Sequence, residues 1–367
     1  MKIRNISTIG TCFLLCAAML AGCGSSSSSS SAVSSETASE ESVSESEAAS
    51  SEEASSSEES SEETSDSYYP VSVDTYSVSS DGATWTPVTA EYTSEPQRVV
   101  ANNQGTANLM IRLGLGDKLV GVAAVYGPAP DDVADEFNSV NVIAQGYASK
   151  EAVLGVEPDF VAGRGDLFID GDYGVGTTEE LESAGIASYI THVGETGATF
   201  DSFLADIENL GTIFNVQDKA AELKEYYQNY VDDLKNDSRW AGTTTKMAEV
   251  SWIEDGMPVF GSAATETLQN EAFSMIGLDN INADCDGSQV SIETVIEENP
   301  AVIVLFDYEG GPDMNEMIQS LYDNEALQDI DAIKNKHVYS LDFSSIYGGG
   351  GDLYTEVSNL ADQFYGS

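Results

Sequence analysis

The sequence predicts an α/β protein with two Rossmann-like lobes, a parallel-rich sheet in each, one long helix joining them and a ligand cleft between. Three observations predict it. Apolar runs of strand length alternate with helical patterns from Arg98 onward. The alternation stops and then starts again. A single long helical stretch separates the two series.

In the first series, strands are expected at Arg98–Ala101, Leu119–Ala123, Val140–Ile143, Asp159–Ala162 and Ala187–Ile190. Helical patterns fall between them at Ala107–Leu113, Lys150–Gly155 and Thr178–Ala184. Helices between strands at this spacing force parallel pairing, because each strand must be re-entered from the same end. The separating stretch runs from Gln217 to Asp237, with Ala220, Leu223, Tyr227, Tyr230, Val231 and Leu234 at three- and four-residue spacing. Some 20 helical residues span about 30 Å, so it is expected to act as a stiff strut. The second series comprises strands at Met247–Trp252, Pro258–Phe260, Ala301–Phe306 and Val338–Leu341, with helices at Glu266–Ile276, Ser291–Glu298 and Leu353–Phe364. No repeat of solenoid period is present.

The chain begins with a different kind of sequence. Lys2 and Arg4 precede an apolar run from Thr11 to Leu20, which is short for a membrane span. It closes on Leu20-Ala21-Gly22-Cys23, which resembles the bacterial lipoprotein signal. That resemblance implies removal of residues 1–22 and diacylation of Cys23, placing the protein on the outer face of the cell membrane, held by lipid. Gly24 to Ser67 is nearly all Ser, Glu, Ala and Thr and contains no aromatic residue, lysine or arginine. Such a segment cannot bury enough apolar surface to offset its ordering entropy. A flexible linker is expected over 23–67, with an end-to-end distance of about 35–40 Å. The remaining organisation is a first lobe over 68–216, the connecting helix over 217–237 and a second lobe over 238–367.

Charge and cysteine content exclude several functions. The formal net charge is −49, and Gly24 to Gln97 carries no base at all. Nucleic acid is not expected as a partner, since phosphate binding needs clustered Lys and Arg. Cys12 and Cys16 fall in the removed segment, so Cys285 is the one thiol left beside the lipidated Cys23 and no internal disulfide is expected.

Most other motifs are incomplete. Asn282, Asp284, Asp286, Gly287, Ser288 and Glu293 fit the spacing of a calcium loop, D-x-D-x-D-G-x5-E. Gln289 stands where that loop carries an apolar residue, and no sister loop accompanies it, so no metal is assigned. Asp170 to Gly174 fits less well, and Arg164-Gly165-Asp166 is a tripeptide that arises by chance. Gly348 to Gly351 lacks the Lys-Ser/Thr of a phosphate loop, and no G-x-S-x-G or H-E-x-x-H is present. His192 and His337 are far apart in sequence. With no nucleophile, base and orienting group in recognisable order, the protein is not expected to be an enzyme. A surface enzyme or an adhesin of α/β fold is the alternative from another class.

A set of fragments in fixed order carries a resemblance. Pro96-Gln97-Arg98-Val99-Val100 opens the first lobe, followed by Leu113-Gly114-Leu115-Gly116-Asp117 and Val120-Gly121-Val122. Glu151-Ala152-Val153-Leu154 leads into Glu157-Pro158-Asp159-Phe160-Val161. The second lobe echoes this with Ser291-Ile292-Glu293-Thr294-Val295 leading into Asn299-Pro300-Ala301-Val302-Ile303. Ala332 to Tyr339 supplies a last turn and strand. From Glu95 to Phe364 the chain resembles the substrate-binding proteins of ATP-driven importers for iron–siderophore, cobalamin or haem, the class III periplasmic-binding-protein family. The resemblance implies a monomer without cofactor that captures a metal chelate and delivers it to the membrane permease of an ABC importer. It also implies one docking glutamate per lobe, Glu151 and Glu293, each facing a permease arginine.

Ligands of such two-lobed proteins lie beyond the carboxyl ends of the parallel strands. Those ends point to Asn102, Asn103, Tyr126, Tyr147, Arg164, Asp166, Phe168 and His192 in the first lobe. In the second they point to Trp252, Tyr308, Glu309 and Tyr347. The rings suit a bulky chelate. Arg164 is the one base among these residues, so a neutral or cationic chelate such as a ferric hydroxamate siderophore is expected rather than a triply anionic catecholate; cobalamin and haem remain open.

Overall fold

The structure, a computed structural model, describes residues 68–366 apart from 255 and 286. The expected signal, the linker and the lipidated Cys23 lie outside the described residues. Among the described residues, no helix is long and apolar enough to cross a membrane.

The first lobe holds a four-stranded parallel sheet of β3 (Val99–Ala101), β4 (Leu119–Val122), β5 (Phe160–Gly163) and β6 (Ala187–Ile190), in the order β4-β3-β5-β6. Val99, Val100 and Ala101 are fully buried, as are Phe160, Val161 and Ala162. Continuous burial is what a central parallel strand covered on both faces requires. The second lobe repeats the winding. Its sheet runs β10-β7-β12-β13, all parallel, from β7 (Thr245–Val250), β10 (Leu278–Asn280), β12 (Val302–Asp307) and β13 (Val338–Asp342). In each lobe the first strand lies inside, the second beside it at an edge, and the third and fourth on its other side. The winding therefore reverses at β3 and at β7, which opens a crevice at their carboxyl ends.

A hairpin of β1 (Val71–Val78) and β2 (Trp85–Tyr92), not among the expected elements, precedes the first sheet. It covers the otherwise open edge of β6. Thr75 Oγ1 accepts from the Ile190 N–H at 3.0 Å and donates to the Ile190 carbonyl at 2.9 Å. The Tyr92 hydroxyl donates to the Ser188 carbonyl at 2.8 Å. An edge strand capped this way cannot template pairing with another chain.

Two expected strands need correction. Val140–Ile143 forms no strand: it touches the sheet only at a Val122–Val142 bridge, and Val142 is exposed. Val140 and Val142 line the cleft instead, while Ile143 packs against the first lobe's core. The run Met247–Trp252 breaks at Ser251, so Trp252 opens β8 (Trp252–Glu254). That strand joins β9 (Met257–Gly261) and β11 (Gln289–Val290) in a small antiparallel sheet, ordered β11-β9-β8.

The long helix spans Gln217–Asn236 and buries Ala220, Tyr227, Val231 and Leu234. It packs on a helix over Phe200–Ile213, where Gly211 leaves room for the Ala220 methyl. Both feed one continuous apolar core that includes Met110 and Phe203 of the first lobe and Phe273, Leu353 and Tyr354 of the second. The lobes also meet through polar contacts. Arg112, at the end of the helix Gln104–Arg112, reaches Asp352 at 2.6 Å and the Gly350 carbonyl at 3.0 Å. Asn108 donates to Asp352 at 2.8 Å. The glycine run finds its reason here: a Cβ on Gly105 would stand 2.0 Å from the Gly348 carbonyl oxygen, so these two backbones approach only because neither carries a side chain.

Candidate functional site

At the carboxyl ends of β4, β12 and β13, the lobes enclose a cavity of about 570 Å³. The first lobe lines it with Val125 to Ala129 and with Phe137, Val140, Val142 and Gln145; the second contributes Asp307, Tyr308, Glu309 and Asp342. A niche of about 20 Å³ lies deeper, between Gln104, Arg164, Ser344 and Tyr347, and Tyr126 lines both spaces. The niche has room for about one water molecule. Gln104 Oε1 and Ser344 Oγ are buried beside it without a hydrogen-bond partner.

The loop after β4 is tied across to the second lobe. The Glu309 N–H donates to the Tyr126 carbonyl at 2.6 Å. Gln145 Nε2 donates to Glu309 Oε2 at 3.0 Å and to the Val125 carbonyl at 2.6 Å. These bonds hold one side of the cleft closed.

Aromatic rings gather along it. Tyr126 meets Tyr147 at 6.1 Å and Phe343 at 5.7 Å, edge to face. Phe343 in turn meets Tyr308 at 6.0 Å and Tyr347 at 4.9 Å. Burial, with Tyr147 beside it, pushes the Tyr126 phenol well above its ordinary range, so it stays a neutral donor. The ladder presents flat apolar area with hydroxyls at its margins, which suits a large ligand of mixed polarity.

Asp307, Glu309 and Asp342 are the charged residues that line the cavity, and further acids that line neither space lie near Arg164. Arg164 is bound in two-pronged fashion by Asp166, at 2.7 and 3.1 Å. Burial raises Glu266, and Arg164 partly offsets this. Glu249, buried at the end of β7, is pushed up to about 8, first by burial and then by Glu266. Asn280 donates to its Oε1 at 3.0 Å. Glu249 and Glu266 are not among the sequence-predicted site residues, nor is Phe343. A lone acid inside an apolar strand run was the available signal for Glu249.

The sequence-predicted residues fall into three groups. Tyr126, Tyr308 and Glu309 line the large cavity, Asn103, Arg164 and Tyr347 the niche, and Tyr147 stands half exposed against Tyr126. Asn102 and Phe168 are corrections. Asn102 is fully buried and clamps the backbone of Arg164, accepting from its N–H and donating to its carbonyl, both at 2.9 Å. Phe168 is fully buried in a core cluster of the first lobe with Val78, Val100 and Val161. Asn103 caps the helix Gln104–Arg112 and donates to the Gly348 carbonyl at 3.2 Å. His192, Asp166 and Trp252 line neither space. His192 bonds Asp206 through its backbone N–H at 2.8 Å and Nδ1 at 2.9 Å, with the Tyr76 ring of the hairpin against it.

The stretch that fits calcium-loop spacing starts on a committed side chain. Asn282 is fully buried, with Nδ2 donating to the carbonyls of Glu249 and Gly261 and Oδ1 accepting from the Glu249 N–H. Asp286 lies outside the described residues.

Known proteins share this architecture. A family model described as periplasmic binding protein matches residues 99–344. A Bacillus subtilis protein named as an uncharacterized ABC transporter substrate-binding lipoprotein is 26% identical over 304 residues, covering 82% of this chain and 89% of the relative. The petrobactin-binding protein of the same organism is 26% identical over 268 residues, covering 70% and 78%. Among solved structures, a periplasmic binding protein from Veillonella parvula superposes with a TM-score of 0.69 at 25% identity, over 82% of this chain and 99% of that one.

Proposed function

The chain belongs to the periplasmic binding protein family, and from that premise we propose that it captures a ferric siderophore of neutral or cationic, hydroxamate type and delivers it to an ABC permease. It does so from the outer face of the cell membrane, anchored through Cys23. The observation that carries this reading is the cleft itself: about 570 Å³ between two lobes, walled by tyrosines and acids. The volume is that of a small-molecule site, and rings with marginal hydroxyls recognise a chelate by area and a few donors. Asp307, Glu309 and Asp342 line the cavity with no base among its lining residues, a field that repels a triply anionic catecholate. A relative named as a petrobactin-binding protein and one named as an ABC transporter substrate-binding lipoprotein support capture and delivery by an importer's binding protein; the choice of chelate rests on the cavity's charge.

Calorimetric titration with a ferric hydroxamate, a ferric catecholate, cobalamin and haem tests it. Tight binding of the hydroxamate is expected. Tighter binding of the catecholate, cobalamin or haem would replace this ligand assignment with that one. Tyr126→Ala and Tyr308→Ala should each weaken binding about tenfold or more, with little change in melting temperature, because both rings stand at the cavity wall. Unchanged affinity in both variants would move the ligand elsewhere.

Delivery uses Glu151 and Glu293. Each is exposed in the first turn of a short helix, Lys150–Leu154 and Ile292–Glu298 respectively. A carboxylate there is free to take a two-pronged arginine contact. Glu151→Lys together with Glu293→Lys should abolish uptake of the iron chelate by cells while the protein's own affinity for it stays the same. Uptake at the parent rate would remove both residues from the docking role.

A further inference from the structure

The two lobes carry equivalent local units over 149–159 and 291–301, 142 positions apart, which share Ser149 with Ser291, Glu151 with Glu293, Val153 with Val295 and Pro158 with Pro300. Ser149 and Ser291 cap the helix, Ser149 Oγ accepting from the Ala152 N–H at 3.3 Å and Ser291 Oγ from the Thr294 N–H at 3.1 Å. Val153 and Val295 are the fully buried anchors. Glu157 and Asn299 then turn left-handed, both at φ 49°, ahead of the buried Pro158 and Pro300. The next residue donates its N–H to a basic residue's carbonyl at 2.9 Å in both cases, Asp159 to Arg98 and Ala301 to Lys246. The side chains of those two bases secure the helix ends as well: Arg98 donates to the Val156 and Glu157 carbonyls, and Lys246 pairs with Glu298.

This unit exposes an aliphatic residue at the same place in each lobe. Leu154 is 41% exposed and Ile296 is 36% exposed. They follow Glu151 and Glu293 by three positions, so each aliphatic side chain neighbours a carboxylate on one helix surface. A single exposed leucine is ordinary. The same exception at the same position of two equivalent units, each held by a cap, a buried valine and a basic clamp, is a repeated surface.

We propose that Glu151 with Leu154, and Glu293 with Ile296, form two equivalent composite docking patches that fit one membrane partner presenting the same basic-and-apolar surface twice. The proposal rests on the docking reading above and extends it. The carboxylates select basic side chains on the partner and set orientation. The aliphatic residues seat in an apolar spot beside each base and slow release. Two small patches rather than one broad face suit a partner engaged and released in each transport cycle.

The experiment uses the full-length lipidated protein in bacteria, with a photo-crosslinking residue at Leu154, at Ile296, or at the exposed Tyr173 as control. Leu154 and Ile296 should crosslink to one and the same integral membrane polypeptide, and Tyr173 should not. Leu154→Ser and Ile296→Ser should each lower uptake of the ferric chelate about tenfold, and about a hundredfold together, with melting temperature and chelate affinity unchanged. Leu154→Ile and Ile296→Leu should restore it. If the serine pair transports at the parent rate while Glu151→Lys with Glu293→Lys does not, the aliphatic half of the patch is wrong and the docking reading stands. If neither pair alters uptake, docking lies elsewhere and both fall. Crosslinking to two different proteins would overturn the shared partner.

Discussion

Replacing Arg112 with Met should destabilise the protein by about 3–5 kcal/mol and loosen the contact between its lobes. The reason is the company the guanidinium keeps. Its side chain is 10% exposed, and it joins Asp132 of its own lobe in a two-pronged contact at 2.8 and 3.0 Å. Across the interface it meets Asp352, itself 7% exposed, at 2.6 Å. Burial raises the Asp352 carboxyl, and Arg112 and the Asn108 amide counter that rise. Without the arginine, Asp352 is left with one neutral donor in a poorly solvated place. It must either stay charged at high cost or take up a proton. Asp132 is mostly exposed and should contribute little on its own. The double variant Arg112→Met/Asp352→Asn removes both charges and should recover much of the loss, since a buried pair as a whole is worth far less than breaking it costs. Urea unfolding of the two singles and the double decides the matter. Equal losses in Arg112→Met and the double would mean that the cost comes from packing, not from the stranded carboxylate.

That network was not legible in the sequence, and the contrast with what was legible has a physical basis. The bounds of β3, β5 and β12 agree with the expected ones to within one residue at each end, because a strand buried on both faces must be apolar throughout. β6 also agrees, but it is an edge strand with Ala187 exposed, and only Tyr189 and Ile190 carry its apolar signal. The helix over Phe200–Ile213 was equally plain in Phe203, Leu204, Ile207 and Leu210, although it was not among the expected elements. The hairpin β1–β2 was not plain. Many of its residues are exposed, and it is held by contacts such as Thr75 to Ile190, 115 positions away. Long-range contacts leave no period to read. Val140–Ile143 failed for a different reason: an apolar run can line a ligand cleft as well as a sheet. The same limit governs the site. Knowing that a residue follows a parallel strand places it at the carboxyl end of the sheet, where Tyr126 and Tyr308 line the cavity and Arg164 the niche. It does not say where the side chain points, so Asn102 and Phe168 were expected beside the ligand and lie inside the lobe. Glu249 and Glu266 were missed because their proximity depends on how β7 packs against the loop before the helix Thr267–Met275.

Glu249→Gln should make the protein more stable, and more so as the pH rises. The parent carboxyl is 4% exposed, with Asn280 donating to one oxygen at 3.0 Å and Glu266 close enough to repel its charge. Its ordinary value is 4.5 and its value in the fold is about 8, so the folded protein holds this proton more tightly than the unfolded chain does. The stability that comes from a protonated Glu249 is complete below about pH 4.5. It is lost progressively between about 4.5 and 8, and the loss levels off above. A shift of that size corresponds to about 3–5 kcal/mol at the alkaline end. Glutamine keeps the oxygen that accepts from Asn280 and has no proton to lose, so it should track the parent at pH 5 and exceed it by several kcal/mol at pH 8.5. Glu266→Gln is the companion test. Removing the neighbouring charge should lower the Glu249 carboxyl and move the parent's decline to higher stability without abolishing it. The Tyr347 phenol, which feels both glutamates, is already held far above this range by burial and adds no slope of its own. Guanidinium unfolding at pH 5, 7 and 8.5 reads all three proteins. Parallel curves for parent and Glu249→Gln across that range would mean that the buried acid is ionised at neutral pH, with a countercharge that this geometry does not supply.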